Sequence, residues 1–432
     1  MIRRRYGLWG SLVLAALCCG APGGGGAFVG ATRVDAAEYL GAIILAPDAC
    51  DPSGLEQTLE DGTPANRLGP GSAIAYTGHG HRYRLLPDRG PNAGKWNPAV
   101  NNTTSYPVRW ITMDITIDRQ EGGPWEIQYQ QVGATMMTDE HGRPFIGLST
   151  AYDATNSPAS QRRDPESLRV DADGVTYVGD EYGPFIDVFD AAGRRLRSLP
   201  PPEKFRCLHP MPSKAEEIAA NATGRTPNHG FEGLALTPDG RTLVAMVQGP
   251  LLQEGTSGAV RMWVVDLQNG GARELAYLLD DADNAVNEIE AINDRQFLVE
   301  ERDGKGGVKA RTKKLMLIDI TDASDISDVA SLTAPGAMAS VKPVRKELFA
   351  DLLAGVMAGR PIVGFDRFKA MLSDKQDFDR FPEKVEGVCF GANLNDGRRT
   401  LFITTDNDFR ADQPSYIFVF ALDASELPGL QR

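Results

Sequence analysis

The sequence predicts an all-β fold, a β-propeller for which we expect six blades, and three observations point to it. Short runs rich in β-branched residues, such as Thr242–Val247 and Thr400–Thr405, have the length of strands. Several such runs follow Asp-Gly dipeptides, among them Asp239-Gly240, which supply the positive φ that tight hairpins need. The hairpins also belong to a longer unit that recurs along the chain, as expected for a radially repeated fold.

Each copy of this unit has the same form: an acidic residue, a small residue, an aliphatic strand, a tight turn, a second strand and another acid. The leading acids are Glu166, Glu232, Glu290 and Glu386. The following acids are Asp180, Glu181, Glu300, Asp406 and Asp408. A degenerate earlier copy begins at Gly71-Ser72 and ends at Asp88. Because both ends of an antiparallel hairpin lie on the same side, radial repetition should bring these carboxylates to one mouth of a central channel.

The spacing of the leading acids bears on the number of blades. Glu166 and Glu232 are 66 residues apart, and Glu232 and Glu290 are 58 apart, which fits four-stranded blades with long loops. The interval from Glu290 to Glu386 is 96 residues, so it contains either an insertion or more than one blade.

A small helical insertion is predicted near residues 340–375. Leu348, Leu352 and Val356 recur at helical spacing within 345–357, and a second short helix is predicted over 361–372. The polar segment 213–228 is expected to be a long loop with a helical turn.

Composition and charge narrow the choice of partners. The chain has 432 residues, of which 42% are hydrophobic and 24% charged, and this is the composition of a globular protein. Its formal net charge is −13, and its basic residues are scattered among acids. This distribution argues against a nucleic-acid partner, because backbone phosphates require a basic face. We expect instead a small-molecule substrate or ligand, and an acidic chain is suited to binding divalent cations.

The N-terminus has the pattern of an export signal. We interpret residues 1–37 as a signal peptide and leader, with three arginines before the apolar run Leu8–Cys19 and candidate cleavage sites after Ala31 and Ala37. The apolar run is too short for a good membrane span, and no later segment is apolar enough to make one. The sequence thus predicts export to the periplasm or the extracellular space, with 38–432 as one propeller domain.

Cysteine and histidine patterns exclude some metal sites. Once the leader is removed, Cys50, Cys207 and Cys389 remain, which allows one disulfide and one free thiol in an oxidising compartment and leaves the pairing open. The chain contains no CxxC and no HExxH motif, so a zinc site is not predicted. It also lacks GxSxG, which argues against a serine-esterase mechanism.

These motifs resemble the phytase-like domain of bacterial proteins named for an esterase-like activity of the phytase family. The matching segments are Asp88–Asn92, Pro165–Leu168, Asp180–Pro184, Asn228–Leu234, Phe297–Arg302, Lys384–Gly387 and Asp406–Phe409. The resemblance extends over residues 65–422. Phytases are calcium-dependent propeller phosphatases that act on inositol phosphates, so the resemblance implies a propeller, calcium and ester hydrolysis. This sequence departs from the pattern at Gln248, where the family often carries an acid, and in the first unit, which lacks a leading acid.

The acids at the predicted mouth are candidate calcium ligands, because calcium takes six to eight oxygen donors. The predicted metal ligands are Glu166, Asp180, Glu181, Glu232, Glu290, Glu300, Glu386, Asp406 and Asp408. Arg89, Arg302 and Lys384 are the candidate catalytic residues, since a cation near the ester would neutralise charge that develops during hydrolysis. Alternatively, the same acids pair with these three cations as structural links between blades.

Two functions from different classes therefore follow from the sequence. The first is a metal-dependent hydrolase of phosphate or carboxylic esters. The second is a non-catalytic exported propeller that binds a small ligand or a protein partner. The low density of lysine and histidine near the acids in the sequence favours the second function, because highly anionic substrates need a basic pocket.

Overall fold

Five antiparallel sheets surround a central channel in the computed structural model, which describes residues 36–120 and 123–431. The first strand, β1 (Glu38–Leu45), belongs to the last sheet. Blade 1 consists of β2 (Pro70–Tyr76), β3 (Arg82–Pro87), β4 (Arg109–Arg119) and β5 (Trp125–Met136). Blade 2 consists of β6 (Pro165–Val170), β7 (Thr176–Asp180), β8 (Phe185–Phe189) and β9 (Arg195–Leu199). Helix α1 (Lys214–Ala220) follows.

Blade 3 consists of β10 (Phe231–Leu236), β11 (Thr242–Val247), β12 (Ala259–Asp266) and β13 (Ala272–Leu278). Blade 4 consists of β14 (Ala285–Ala291), β15 (Gln296–Arg302), β16 (Lys313–Asp319) and β17 (Arg345–Asp351), extended by β18 (Val356–Met357) and β19 (Arg360–Pro361). After α2 (Phe365–Met371), blade 5 is formed by β20 (Lys384–Asn393), β21 (Arg399–Asp406) and β22 (Ser415–Leu422).

The ring of blades is closed by the two ends of the described chain. Strand β1 pairs antiparallel with β22, so blade 5 takes its outermost strand from the N-terminal side. The innermost strands β2, β6, β10, β14 and β20 each contact the next, and β20 contacts β2. Opening the propeller would therefore break a sheet as well as a blade-to-blade contact.

The all-β propeller is confirmed, but the expected six blades are wrong, because the described residues form five. The recurrent units, with the degenerate copy counted, correspond one to one with these blades. The long interval between Glu290 and Glu386 is a single blade that has been lengthened by β18, β19 and α2.

The prediction of a helix within residues 345–357 is also wrong. Residues 345–351 form strand β17, which pairs with β16 on one side and with the short strand β18 on the other, so backbone pairing overrides the apparent helical spacing. Leu348, predicted to share a helix face with Leu352 and Val356, is 48% exposed. Helix α2 does lie within the predicted 361–372 segment, and α1 lies in the polar segment predicted to contain a helical turn.

The apolar core lies between adjacent blades, where side chains from two sheets meet. The Trp110 and Phe189 rings, from blades 1 and 2, have centroids 6.1 Å apart. Tyr83 and Phe402, from blades 1 and 5, are 4.7 Å apart. These contacts hold each blade against its neighbours and so fix the width of the channel.

Three further predictions from the sequence concern the N-terminal leader, membrane-spanning segments and the cysteines. The predicted leader lies outside the described residues except for its last two positions. None of the helices in the described part is long and apolar enough to cross a membrane. Cys50, Cys207 and Cys389 are all free thiols, and only Cys50 is exposed.

Candidate metal centre at the channel mouth

The same backbone irregularity occurs near the start of the innermost strand in every blade. There the register with the second strand shifts, which is the signature of a β-bulge. The residues at the shift are Gly71-Ser72 in β2, Glu166 in β6, Glu232 in β10, Asn287 in β14 and Glu386-Gly387 in β20. Because a bulge takes its residue out of the strand's alternation, it re-aims that side chain.

Two glycines that follow leading acids explain the Glu-Gly signature of the repeat. A Cβ on Gly233 would lie 3.0 Å from the backbone nitrogen of Ile289 in the next blade. A Cβ on Gly387 would lie 2.9 Å from the Cα of Ala73 in blade 1. The absence of a side chain at these positions allows inner strands of adjacent blades to approach closely.

The bulged residues Glu166, Glu232, Asn287 and Glu386 lie near Glu181, which directly follows β7, and we call these five residues the acidic ring. Carboxylate oxygens of Glu166, Glu181 and Glu232 all lie within 4.8 Å of one another. The Nδ2 atom of Asn287 donates to Oε1 of Glu232 at 2.7 Å, and this bond joins blades 3 and 4. Gln248, at the position where a following acid was expected, donates to the same Oε1 at 2.6 Å.

Several oxygens of the acidic ring are buried without a hydrogen-bond partner among the described residues. They are Oε2 of Glu181, Oε2 of Glu232, Oδ1 of Asn287 and Oε2 of Glu386. An unpaired buried polar atom is costly, so a cluster of them requires an explanation. All four are hard oxygen donors of the type that calcium prefers, and the residues present therefore fit a calcium ion.

The electrostatics of the acidic ring agree with this fit. Burial, reinforced by the charges of Asp88, Glu181 and Glu386, raises the pKa of Glu166 well above its ordinary value. Burial likewise raises the pKa of Glu232, with further contributions from Glu181 and Glu166. Without a cation these carboxyls retain protons to a higher pH than usual, and a divalent ion would stabilise their ionised forms.

The three predicted catalytic cations all lie beside the ring. Nη2 of Arg302 is 3.0 Å from Oε1 of Glu386. Nη1 of Arg89 pairs with Asp164 and lies 3.8 Å from Oε2 of Glu181. The Nε atoms of both arginines are buried without a partner in the described structure.

Lys384 neutralises a second group of acids next to the ring. Its Nζ is 2.6 Å from Asp408 and 3.1 Å from Asp406. Oxygens of Asp88, Asp406 and Asp408 lie within 4.8 Å of one another. Burial raises the pKa of Asp88 to about 6, although Arg89 and Lys384 act to lower it. The geometry thus places Asp406 and Asp408 in an ion-pair cluster, which leaves them less free to bind a metal than the ring oxygens.

Asp180 and Glu300 are buried close to the ring but do not belong to it. Asp180 accepts hydrogen bonds from the backbone nitrogens of Asp164 and Gly183, at 2.9 and 2.7 Å, and so fixes the turn after β7. Glu300 lies in β15 two residues before Arg302, with both carboxyl oxygens buried and unpartnered in the described part. Burial raises its pKa well above the ordinary value.

Glu290 does not reach the ring, which corrects its predicted place among the leading acids. The bulge in β14 falls at Asn287, three residues earlier, so Asn287 occupies the blade 4 position. Glu290 instead lines a cavity of about 660 Å³ at the other end of the channel, together with the turn residues Asp171 and Asp239.

Arg169 separates the two ends of the channel. From β6 it reaches Glu288 at 3.1 Å and Glu290 at 3.0 Å in blade 4. It also donates to the carbonyl oxygens of Ile289 and Val388, at 2.8 and 3.2 Å. One buried guanidinium thus joins blades 2, 4 and 5 below the acidic ring.

Sequence reasoning missed three residues of this mouth: Asn287, His229 and Lys214. Asn287 could not be recognised because Glu288 and Glu290 offer acids in the same strand. His229 was detectable, since it is three residues before Glu232 in a segment that carried the family resemblance. Lys214 comes from α1, far from any repeat, and is brought near Glu181 only by the fold.

Fold and site together define a class of protein, a β-propeller with a candidate metal centre at one mouth of its channel. The family model for Phytase-like proteins, described as esterase-like activity of phytase, matches residues 66–409. The chain belongs to this family.

Individual relatives are distant. An uncharacterized secreted protein of Arthroderma benhamiae is 25% identical over 211 residues, which cover 39% of this chain and 40% of that protein. The chain therefore matches about two fifths of the length of that relative. A gluconolactonase from Xanthomonas campestris is 13% identical with a TM-score of 0.32, and the match covers 88% of this chain and 91% of the gluconolactonase chain. An ancestral GH74 enzyme is 11% identical with a TM-score of 0.35, covering 81% and 35%.

Proposed function

We propose that this chain is an exported, calcium-dependent hydrolase of phosphate or carboxylic esters. The observation that carries the proposal is the convergence of the Glu166, Glu181 and Glu232 carboxylates at one mouth of the channel. Glu181, Glu232 and the adjoining Asn287 each have a buried oxygen without a partner among the described residues. Membership of the Phytase-like family supports it.

The acidic ring would hold the calcium ion. Its five side chains offer oxygen donors, and water or substrate oxygens would complete the six to eight that calcium takes. When bound, the cation supplies polarisation of an ester oxygen and a lowered pKa for water. Arg89 and Arg302 border the ring on two sides and would stabilise negative charge that develops on the ester.

His229 is the candidate proton acceptor. Burial lowers the pKa of its imidazole, although the charge of Glu181 acts in the opposite direction. A neutral imidazole at pH 7 has a free ring nitrogen that can accept a proton from an attacking water.

Export is proposed from the basic and apolar leader. The backbone nitrogen of Ala37 donates to Oε1 of Glu426 at 2.7 Å, so the fold already includes Ala37. Of the two candidate cleavage sites, the one after Ala31 keeps this contact and the one after Ala37 removes it. N-terminal sequencing of the exported protein should therefore give a chain that begins before Ala37, whereas a chain that begins at Met1 would contradict export with cleavage.

The hydrolase is tested by elemental analysis of purified protein and by hydrolysis of p-nitrophenyl phosphate and p-nitrophenyl acetate. We expect about one calcium per chain and hydrolysis that chelator abolishes and added calcium restores. Glu232→Gln should remove most of the activity, while the matched control Glu290→Gln, at the opposite end of the channel, should retain it. Protein that contains no metal and shows no chelator-sensitive hydrolysis would support the non-catalytic binding function instead.

A further inference from the structure

A cavity of about 170 Å³ lies beside the acidic ring, and the charged residues in its lining are mostly basic. We call it the basic pocket. The charged residues that line it are Arg89, Arg162, Lys214, Arg225 and Glu217. Neutral polar side chains, among them Asn92 and Asn228, complete the wall and can donate hydrogen bonds without adding charge.

Two of the four cations share a single carboxylate. Arg225 pairs with Oε1 of Glu217, and Nη2 of Arg162 lies 3.8 Å from its Oε2. Both guanidiniums are buried and are further fixed by carbonyl oxygens of Tyr182 and Ser149. This pair of arginines therefore forms a rigid wall that keeps a net positive charge.

Lys214 supplies the free cation of the pocket. Its Nζ forms no hydrogen bond or ion pair with any described residue, although it lines a cavity next to other positive groups. Lys214 lies at the exposed rim of the pocket. Partial burial there lowers the pKa of Lys214, and the charges of Arg89 and Arg225 lower it further, against the opposing effect of Glu181. An anion in the pocket would relieve this repulsion.

Arg89 connects the basic pocket to the ring. It lines the pocket, and its Nη1 lies 3.8 Å from Oε2 of Glu181. A ligand that fills the pocket with one group would thus place a neighbouring group next to the acidic ring. The volume of the cavity is small and suits a single group of a ligand better than a whole ligand.

We propose that the basic pocket binds an oxyanion, a phosphate or a carboxylate, carried by the same ester that the acidic ring hydrolyses. The proposal rests on the proposed function, and it adds the substrate class: an ester with an anionic group close to the bond that is cleaved. The opposing charges of the two sites would orient the substrate, with its oxyanion toward Lys214 and its reacting group toward Glu181 and Glu232.

The binding step is tested without hydrolysis. Inorganic phosphate and acetate are titrated separately by calorimetry into full-length, chelator-treated protein, so that no ring metal contributes. We expect saturable binding of at least one anion and a loss of at least tenfold in affinity in Lys214→Gln. The anion that binds with the higher affinity identifies the anionic group of the substrate as a phosphate or a carboxylate.

The matched control is Lys375→Gln, which removes the same charge from an exposed lysine outside the pocket and should bind as the unchanged protein does. Absence of binding by both anions, or equal affinity in Lys214→Gln and Lys375→Gln, would overturn the proposal. If the protein binds the anion but hydrolyses no ester, the basic pocket is still an anion-binding site, and only the proposed hydrolase activity is wrong. If hydrolysis occurs, Lys214→Gln should raise KM at least tenfold, with kcat little changed, for an aryl phosphate that carries a carboxylate ortho to the phosphoester.

Discussion

Nδ2 of Asn287 donates a hydrogen bond of 2.7 Å to Oε1 of Glu232, across the boundary between blades 3 and 4. Because the amide nitrogen faces Glu232, its Oδ1 is left buried without a partner in the described structure, as is Oε2 of Glu232. An aspartate at position 287 would lack the donor and would repel Glu232. The asparagine therefore both links two blades and offers one more oxygen to the acidic ring.

Calcium should stabilise the fold, and Glu232 should be needed for this effect. A ligand at 100 times its Kd adds about 2.7 kcal/mol to the free energy of unfolding, which corresponds to roughly 3 °C in Tm for a domain of this size. Differential scanning calorimetry with excess calcium and with chelator measures the shift. Glu232→Gln should reduce it below 1 °C, whereas Glu290→Gln should keep it. An equal shift in both variants would place the ion elsewhere.

Asn287→Asp should lower the stability of the calcium-free protein and increase the stabilisation that calcium provides. In chelator the variant should be less stable by about 1–3 kcal/mol, because it loses a buried donor and adds a repelling carboxylate. With calcium, the added charge should bind the ion, so the calcium-induced rise in Tm should exceed that of the unchanged protein. The same calorimetric pair of scans tests this, with the exposed Asn269→Asp as control. A smaller rise than in the unchanged protein would contradict a role for position 287 in binding.

The stability of the metal-free protein should fall as pH rises. Burial raises the pKa of Glu166 and Glu232 above their values in the unfolded chain, so between the two values the folded state binds more protons. The free energy of unfolding then decreases with pH, from its full value below the unfolded pKa to its lowest above the folded pKa. Tm measured in chelator from pH 5 to 8 should decline, and calcium should flatten the decline. Identical slopes with and without calcium would argue against an ion at these carboxylates.

Arg169 should be essential for the stability of the channel. Arg169→Met leaves Glu288 buried without its ion pair, and such a loss costs about 3–5 kcal/mol. The double variant Arg169→Met/Glu288→Gln should regain part of that loss because it removes the unpaired charge. Urea unfolding of the three proteins gives the comparison. If the double variant is no more stable than Arg169→Met, the pair does not account for the effect.

Only Cys50 should be readily alkylated in the folded protein. Burial raises the pKa of the Cys207 thiol to about 11, so at pH 8 very little thiolate is present there. Cys389 is buried as well, and Cys50 is exposed. Iodoacetamide at pH 8 followed by peptide mapping should label Cys50 first, and the other two only after denaturation. Rapid labelling of Cys207 under native conditions would show that its surroundings open.

An acidic residue at the channel mouth could be predicted from the sequence where it belongs to a recurrent local pattern. Glu166, Glu232 and Glu386 precede strand-turn-strand units, and all three lie at bulges of inner strands. Glu290 matched the same pattern but lies at the opposite end, because the bulge in β14 comes three residues earlier. A bulge depends on pairing with the next strand, so one sequence does not reveal its position.

The hairpins, their turns and the presence of acids at hairpin ends were determined by the sequence itself, because strand propensity and turn chemistry act over a few neighbouring residues. The tertiary structure decided the number of blades, the replacement of Glu290 by Asn287, and the arrival of Lys214 and His229 at the mouth. These features depend on contacts between segments far apart in the chain, such as the pairing of β1 with β22 and the packing of inner strands around a narrow channel. Local propensities contain no information about those distances, which arise only when the ring of blades closes.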